Sequence, residues 1–300
     1  MPDSPERSRA KGSTMHDNLS TAIIIPTHNE EENLSLCLDS FVSQTRPPDE
    51  LIIVDDNSTD STYEIARMYS EKYEWIHLVR NHSSELHIPG KKVVDAFYKG
   101  LSYAKIDYRF IGKFDADIIL PNNYLETILS HFQSNQELGL CSGHLFIEKN
   151  GKWIYEPIAN KSHVRGPIKL YSATCFDKIG GLRASIGWDT LDELLVQYHG
   201  FSVLTDPSLE VKHLRPTGGS YISNTARLQG TALYKMRYGF LLCLIASLKM
   251  SWQRKKPAVL INNLQGFWRA QKDKVPFLVT KEEGSFIRKF RWTNIRAKLF

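Results

Sequence analysis

The first 120 residues alternate between short apolar runs and longer amphipathic segments. Four of the runs are rich in β-branched or aromatic residues and predict buried strands, namely TAIIIP, LIIV, WIHLVR and YRFIGKF. Between the first two, Leu34, Leu38 and Phe41 recur at helical spacing, and Asn29 is the expected cap of that helix. Strands that alternate with helices in this way predict an α/β fold with a doubly wound, mostly parallel sheet.

Past residue 140 the pattern is less regular. Asn150-Gly151 separates two segments that can pair, which predicts a hairpin turn. The stretch GLRASIGWDTLDELLVQYHGFSV predicts a loop, a helix that ends at Gly200, and a further strand. The remainder is mostly helical and basic. We therefore divide the chain into a disordered tail (1–18), an α/β domain (19–223) and a basic, helical C-terminal region (224–300).

Charge and cysteine usage narrow the class of protein. The net charge of +5 is modest, but basic residues concentrate in C-terminal segments such as KMSWQRKKP and FIRKFRWTNIRAKLF. The four cysteines lie far apart and form no CxxC pair, so a disulfide framework is disfavoured and a reducing, cytoplasmic location is expected. The N-terminal 18 residues have no apolar core typical of a signal peptide. The apolar run 239–248 is ten residues long, whereas a membrane span needs roughly 20.

Acidic residues cluster where the predicted strands end. Asp115 and Asp117 follow the fourth strand, and in a strand such i, i+2 side chains point the same way. Two carboxylates at that range repel each other unless a cation lies between them, and Mg²⁺ or Mn²⁺ takes carboxylate ligands together with substrate phosphates. Asp55 and Asp56 follow the second strand and can accept hydrogen bonds from a base or a ribose. The alternative for both pairs is a solvated loop with helix-capping acids.

The order of four motifs resembles the family 2 glycosyltransferases. The motifs are IIIPTHNEEENL, LIIVDDNSTDST, GKKVVDAFYKGL and KFDADIILP, within a match that covers about residues 20 to 215. The resemblance implies the GT-A fold and a nucleotide-sugar donor, usually a uridine one. It also implies that four residues hold the nucleotide, namely Pro26, His28, Glu30 and Asp56. By the same resemblance, Asp115 and Asp117 bind the divalent cation, with Asp117 the more direct ligand, and Lys91 approaches the donor.

The resemblance further implies an inverting transfer assisted by a carboxylate base. Aligning Gly187 and Gly200 with the corresponding family glycines puts Asp189 on the catalytic aspartate. Asp192, one helical turn later, is the competing candidate or a structural cap of the same helix. In VKHLRPTGGSY, His213 is a candidate third metal ligand and Arg215 a candidate partner of the diphosphate. The alternative for His213 is a packed or solvent-facing histidine.

The expected partners are a nucleotide-sugar donor and a saccharide or lipid-linked acceptor, with no role for nucleic acid. RLQGTALYKMRYGFLLCLIASLKMSWQRKKP predicts an amphipathic helix or a helix pair with basic ends. It can attach peripherally to the inner face of an anionic membrane, pack on the α/β domain or form a dimer interface.

Among other enzyme classes, a polyprenyl-phosphate sugar synthase is the runner-up. A nucleotidyltransferase would carry a Gly-rich basic stretch after the first strand, and a dinucleotide-binding oxidoreductase would carry GxGxxG there. This chain has the acidic stretch PTHNEEEN at that position, so both classes are disfavoured. A non-catalytic nucleotide-sugar-binding scaffold is the alternative from outside the enzymes.

Overall fold

The computed structural model of the protein describes residues 19–83, 90–158, 160–216 and 225–299. The predicted tail (1–18) and the predicted boundary at residues 223 and 224 lie outside these ranges, so both stay predictions. The first half contains β1 (Thr21–Thr27), α1 (Leu34–Val42), β2 (Glu50–Asp56), α2 (Thr62–Lys72), β3 (Ile76–Asn81), α3 (Lys91–Leu101), β4 (Phe110–Phe114), β5 (Ile118–Ile119) and α4 (Tyr124–Ser134). The second half contains β6 (Leu138–Lys149), β7 (Lys152–Tyr155), β8 (Ile168–Ser172), α5 (Ala173–Lys178), α6 (Trp188–Tyr198), β9 (Ser202–His213), α7 (Thr225–Lys235), α8 (Phe240–Gln253), α9 (Ala258–Lys272) and α10 (Lys281–Leu299).

One sheet runs through the α/β domain in the order β3-β2-β1-β4-β8-β6-β9-β5, with β7 paired to β6. The four strands predicted from the first half are all present, and β1 to β4 form parallel ladders. Strand β8 is antiparallel to both of its neighbours, β4 and β6, and so joins the parallel first half to the parallel β6–β9 pair. The predicted doubly wound α/β fold is therefore confirmed.

Both faces of the sheet are covered, which explains why its strands are apolar at consecutive positions rather than at alternate ones. In β1, Ile24 points into a core shared with α3, α6 and the C-terminal helices. Its neighbours Ile23 and Ile25 point into a second core, shared with α1 and α4. The carboxyl ends of β1, β2 and β4 consequently meet at one edge, with polar loops beyond them.

Local turn chemistry matches the sequence in the second half. Asn150 and Gly151 have φ angles of 53° and 73°, and they join the antiparallel strands β6 and β7. Two consecutive left-handed residues are what a type I′ hairpin turn requires. Gly200 has φ 84° directly after the end of α6, where only a residue without a Cβ is free of strain. The predicted hairpin and helix end are both confirmed.

The C-terminal region is helical, and it begins with the predicted helix pair, α7 and α8. Helix α10 packs on the α/β domain, because Arg183 forms a bidentate ion pair with Glu283 at 2.7 and 2.9 Å. Helices α7 and α9 cross very closely, since a Cβ on Gly230 would lie 1.8 Å from the carbonyl oxygen of Asn263. No helix in the described ranges is long and apolar enough to cross a membrane.

Candidate active site

The loops after β1 and β2 are joined to each other by hydrogen bonds. His28 Nδ1 lies 2.7 Å from the carbonyl oxygen of Asp56, and the Glu30 amide donates to Thr62 Oγ1 at 2.7 Å. Asn29 has φ 55° and its side-chain oxygen accepts from the Thr59 amide at 2.8 Å. The prediction that Asn29 caps α1 was wrong, because the cap position is Asn33 and Asn29 instead fastens this loop to its neighbour.

The two aspartates that end β2 have different surroundings. The Asp56 carboxylate accepts from Asn81 Nδ2 at 2.9 Å and from the amide and hydroxyl of Ser83 at 3.1 and 2.8 Å, so it holds the end of β3 in place. Asp55 is 4% exposed, and its Oδ1 is buried without a hydrogen-bond partner among the described residues. A buried carboxylate oxygen in this state is costly unless a ligand satisfies it. Pro26, half-buried in β1, pairs in register with Val54, the residue before Asp55.

Asp115 and Asp117 lie between β4, which ends at Phe114, and β5, which begins at Ile118. They are not strand residues, so the expectation that strand geometry aims both side chains the same way was wrong. Each has cationic partners. Lys113, which is 2% exposed, contacts the Asp115 carboxylate.

Asp117 faces the end of β9. Its Oδ2 lies 3.2 Å from Arg215 Nε, and its Oδ1 lies 3.6 Å from His213 Nε2. Arg215 also contacts Glu30, so one guanidinium connects the β1 loop to the acidic loop after β4. The four residues Glu30, Asp117, His213 and Arg215, which the sequence singled out separately, therefore form one cluster.

In this cluster, burial disfavours the charged form of each side chain, whereas the neighbouring opposite charges favour it. Burial raises the pKa of Asp117, but the neighbouring His213 and Arg215 outweigh it and hold the pKa below its ordinary value. Burial lowers the pKa of His213, yet Asp117 and Glu156 outweigh that effect and raise it to about 9. For Glu30, burial prevails over Arg215 and raises the pKa. The cluster therefore contains an ionised Asp117 between two cations.

Glu156 is a member of the site that sequence reasoning missed. It is 1% exposed, and its carboxylate lies 3.3 Å from His213 Nδ1 and 3.1 Å from Arg165. It holds the far nitrogen of the His213 ring, which leaves Nε2 directed at Asp117. Nothing in the sequence distinguishes this glutamate in IYEP from a surface residue.

The donor set of this cluster suits a divalent cation. Carboxylate oxygen and imidazole nitrogen are both ligands of Mn²⁺, and Mg²⁺ accepts the former. The 3.6 Å between Asp117 Oδ1 and His213 Nε2 is too long for a good hydrogen bond. Two neighbouring ligands about 2.1 Å from one ion would be roughly 3 to 3.6 Å apart. Within the described ranges no three His, Cys, Asp or Glu side chains are grouped to hold a metal, so an ion here would need phosphate or water ligands as well.

Helix α6 carries the two candidate bases. The Asp189 side chain, in the first turn, is 31% exposed, whereas that of Asp192 is 1% exposed. Lys169 Nζ donates to Asp192 Oδ1 at 2.9 Å and to the Asp189 carbonyl oxygen at 2.8 Å. The hydroxyl of Tyr171 also donates to Asp192. Asp192 is thus enclosed by protein, and Asp189 is the accessible carboxylate of the two.

His163 connects Asp189 to a third carboxylate. Its Nε2 lies 3.8 Å from Asp189 Oδ2, and its Nδ1 lies 2.5 Å from Glu193 Oε2. Burial lowers the pKa of His163, but Asp189 and Glu193 outweigh it and raise it to about 9. Burial likewise disfavours ionised Asp189, yet His163 and Lys169 lower the pKa of Asp189 to about 2. Sequence reasoning missed His163 because its carboxylate partners come from α6, some 30 residues away.

Two fully buried lysines lie between these two halves of the site. Lys113 and Lys169 are register partners across the β4–β8 ladder. Their Nζ atoms lie 5.3 and 5.6 Å from the centre of the Trp188 ring. Each has its own carboxylate, Asp115 and Asp192 respectively. Two neighbouring strands of the sheet, β4 and β8, therefore each place one buried positive charge beside an acidic residue of the site.

Lys91, the predicted donor contact, begins α3 and forms an ion pair with Asp95 one turn later. Its side chain is 50% exposed. The preceding residue, Gly90, approaches the loop before α6 so closely that a Cβ there would lie 2.4 Å from the Ser185 carbonyl oxygen. Lys91 consequently lies near the loop that leads to Asp189, with its charge already paired.

Comparisons with known proteins agree with this architecture. The family model described as "Glycosyl transferase family 2" matches residues 22–184. A 4,4'-diaponeurosporenoate glycosyltransferase from Staphylococcus aureus is 28% identical over 232 residues, which are 76% of this chain and 54% of that protein. A poly(ribitol-phosphate) beta-glucosyltransferase from Bacillus spizizenii is 51% identical over 55 residues, 18% of this chain and 9% of that one. The chain thus spans about half, or less, of the length of these curated relatives.

Solved structures show the fold. The mannosyltransferase PcManGT from Pyrobaculum calidifontis, in complex with GDP-Man and Mn²⁺, aligns with a TM-score of 0.56 at 16% identity, covering 93% of this chain and 80% of that one. Staphylococcus aureus TarS 1–349, in complex with UDP-GlcNAc, aligns with a TM-score of 0.56 at 18% identity, covering 75% and 66% of the two chains. The predicted GT-A architecture is confirmed.

Proposed function

The chain belongs to glycosyl transferase family 2, and on that premise we propose that it moves a sugar from a nucleotide-sugar donor, with UDP as the expected nucleotide, to an acceptor hydroxyl with inversion. The observation that carries the proposal is a chain of contacts that connects two acidic groups, one at Asp117 and one at Asp189. Asp117 contacts His213 and Arg215, and His213 is joined through Glu156 to Arg165, whose charge also lowers the pKa of the accessible Asp189. An inverting displacement needs both, because the leaving group and the attacking hydroxyl occupy opposite faces of the sugar.

The nucleotide is proposed to bind at the ends of β1 and β2. Asp55 offers a buried carboxylate oxygen that has no partner among the described residues, and a base N–H or a ribose hydroxyl would satisfy it. Pro26, His28 and Glu30 line the adjoining loop. The role for Asp56 changes in this proposal, because its carboxylate already accepts three hydrogen bonds from Asn81 and Ser83. It shapes the pocket by holding the β3 end.

The diphosphate and its cation are proposed to bind at the acidic cluster. Asp117 would hold Mg²⁺ or Mn²⁺, and His213 would join it as a ligand of Mn²⁺ once its Nε2 has released its proton. Asp115 would become a further ligand only by leaving Lys113, which its carboxylate now contacts. When bound, the cation would neutralise the charge that develops on the leaving diphosphate. Arg215 now pairs with Asp117 and Glu30, so a phosphate that enters would compete for its guanidinium. The structural neighbour PcManGT, solved in complex with GDP-Man and Mn²⁺, supports this assignment.

Asp189 is proposed to take the proton from the acceptor hydroxyl. With its pKa lowered to about 2, its carboxylate is ionised at neutral pH. Such a weak base accepts the proton late, once the forming bond between the acceptor oxygen and the anomeric carbon has acidified that hydroxyl. His163 and Lys169 act as positioning residues, because His163 contacts the Asp189 carboxylate and Lys169 donates a hydrogen bond to the Asp189 carbonyl oxygen. Asp192 is excluded from direct contact by its burial.

The acceptor is proposed to be a saccharide or a lipid-linked sugar, as in the synthesis of a cell-surface polysaccharide or glycolipid. The relatives that act on poly(ribitol-phosphate) and on 4,4'-diaponeurosporenoate, by their names, support a large or lipophilic acceptor. Transfer to a polyprenyl phosphate is the second enzyme candidate, and a phosphate acceptor would not need Asp189 as a base.

Titration calorimetry of UDP, with and without Mn²⁺, tests the donor site. Wild type is compared with Asp117→Ala and with Asp177→Ala, a control at an exposed aspartate on α5. We expect Mn²⁺-dependent binding in wild type and in the control, and its loss in Asp117→Ala. If wild type binds neither UDP nor GDP under any condition, the donor assignment is wrong, both for an enzyme and for a nucleotide-sugar-binding scaffold. Binding that survives in Asp117→Ala moves the metal site elsewhere.

A further inference from the structure

Helices α8 and α9 expose large apolar side chains that nothing in the described structure covers. On α8 the exposed fractions are 83% for Trp252, 56% for Leu241 and 49% for Leu248. On α9 they are 57% for Ile261 and 54% for Trp268. Within each helix these residues are four or seven positions apart, so each helix presents them along one side. Phe240 at the start of α8, itself exposed, lies next to Trp268 of α9 with 5.4 Å between the ring centroids, so the exposed sides of the two helices adjoin there. We name the five residues the apolar face.

The segment that contains the apolar face is entirely free of acidic residues. Residues 211–272 include eleven lysines and arginines and no aspartate or glutamate. Four of these bases are exposed around the turn between α8 and α9, namely Lys249, Arg254, Lys255 and Lys256. None of the four has an ion-pair partner within the described part of the chain. A hollow of about 640 Å³ at this turn is lined by Trp252 together with Lys255 and Lys256.

We propose that the apolar face and its basic rim dock on an anionic lipid bilayer. Tryptophan and leucine side chains enter the boundary between headgroups and acyl chains, while lysine and arginine reach lipid phosphates. The face combines both features within one helix pair, and α8 and α9 are too short or too polar to cross the membrane. The protein would therefore lie on the surface. This docking is independent of the donor site, since none of its residues belongs to that site.

Other occupants fit the face less well. A two-fold dimer through this face would bring two basic rims together, because a two-fold contact pairs the same patch on both copies. Nucleic acid would explain the bases, but it offers no apolar phase for Leu241, Leu248 and Ile261. An anionic bilayer satisfies both halves of the surface.

Vesicle flotation of the full chain tests the proposal, with phosphatidylcholine vesicles compared with mixed phosphatidylcholine–phosphatidylglycerol vesicles. We expect binding only to the anionic vesicles, with a blue shift of tryptophan emission. Trp252→Ser should lower the partition coefficient at least tenfold, because it removes one large side chain that the bilayer would bury. Lys255→Glu with Lys256→Glu should lower it by more than fivefold per residue, because each change reverses a charge. The controls are Met68→Ser, at an α2 residue that is 57% exposed, and Lys152→Glu.

Each other outcome overturns the proposal. Wild type that ignores anionic vesicles shows that the face is not lipid-binding. If light scattering then finds a dimer that Trp252→Ser dissociates, the face is a protein interface. If only the lysine variant weakens vesicle binding and duplex DNA competes equally well, the surface recognises polyanions rather than a bilayer. UDP calorimetry on the same variants separates these results from a failure of the donor site, since neither position contacts it.

Discussion

Replacing Lys169 with methionine removes the only described cation that contacts Asp192. In the wild type, Lys169 is fully buried and Asp192 is 1% exposed, with 2.9 Å between Nζ and Oδ1. Methionine keeps most of the volume of lysine, so packing changes little while the charge disappears. Among the described residues, Asp192 then keeps the Tyr171 hydroxyl and the Glu193 amide as its donors. A buried carboxylate with no cation beside it should destabilise the fold strongly.

The magnitude follows from the burial of the pair. Removing one partner of a buried ion pair costs about 3–5 kcal/mol in free energy of unfolding. For the 300 residues of this chain, an unfolding entropy of about 2.1 cal/mol/K per residue converts each kcal/mol into about 1.6 °C. We therefore expect Lys169→Met to lower Tm by about 5–8 °C at pH 8. Lys152→Met, at an exposed lysine of β7, is the matched control and should change the stability by less than about 0.5 kcal/mol.

The pH dependence identifies the cause. Burial raises the pKa of Asp192 to about 6 even with Lys169 present, and removing Lys169 raises it further. Asp192 in the folded variant then binds a proton more tightly than Asp192 in the unfolded chain does. The loss in free energy of unfolding caused by Lys169→Met is therefore complete above the pKa of Asp192 in the folded variant, and it shrinks as pH falls toward 5. Urea unfolding at pH 8 and pH 5 measures this, and Asp192→Asn added to Lys169→Met should recover stability at pH 8. A deficit below 1 kcal/mol, or one equal at both pH values, would refute the buried-charge explanation.

Three further predictions concern the base, its neighbour and the helix crossing. Asp189→Asn should leave UDP affinity unchanged but slow sugar transfer at least about a hundredfold in a nucleotide-release assay, and equal rates would remove Asp189 as the base. His163→Gln should destabilise the protein at pH 6, with the deficit fading as pH rises through about 9, because the raised pKa of His163 adds stability only while it is protonated; urea unfolding that shows a constant deficit would contradict this. Gly230→Ala should lower Tm, since its Cβ would meet the Asn263 carbonyl at 1.8 Å, and an unchanged Tm would show that α7 and α9 can separate freely.

The fold was largely predictable because its signals are local. Four apolar runs gave β1 to β4, and Asn150-Gly151 gave the β6–β7 turn, since side-chain period and turn chemistry are written in adjacent residues. The antiparallel placement of β8 between β4 and β6 was not predictable, because it depends on pairing across more than 50 residues. Asn29 was misassigned because an asparagine in a loop can bond a neighbouring loop as readily as a helix end.

The position of the acidic residues could be predicted from the sequence, whereas the buried lysines that contact them could not. Acids at strand ends indicated which edge of the sheet would carry Asp55, Asp115 and Asp117, because the ends of parallel strands share an edge. Lys113 and Lys169, the buried partners of Asp115 and Asp192, were missed, since a lysine in a strand pattern is ordinarily solvent-exposed. Its burial becomes visible only when the opposing strand and its carboxylate are in place.

The position of β8 also determines how long one edge of β4 stays unpaired while the chain is being synthesised. Strand β4 pairs with β1 on one side, but its other neighbour ends at Ser172, 58 residues after Phe114. At roughly 5–20 residues per second, synthesis of that interval takes about 3–12 s, during which one edge of β4 has no partner. An open apolar strand edge recruits other chains. Slower translation through this interval should therefore lower the soluble yield, and a chaperone that shields strand edges should restore it.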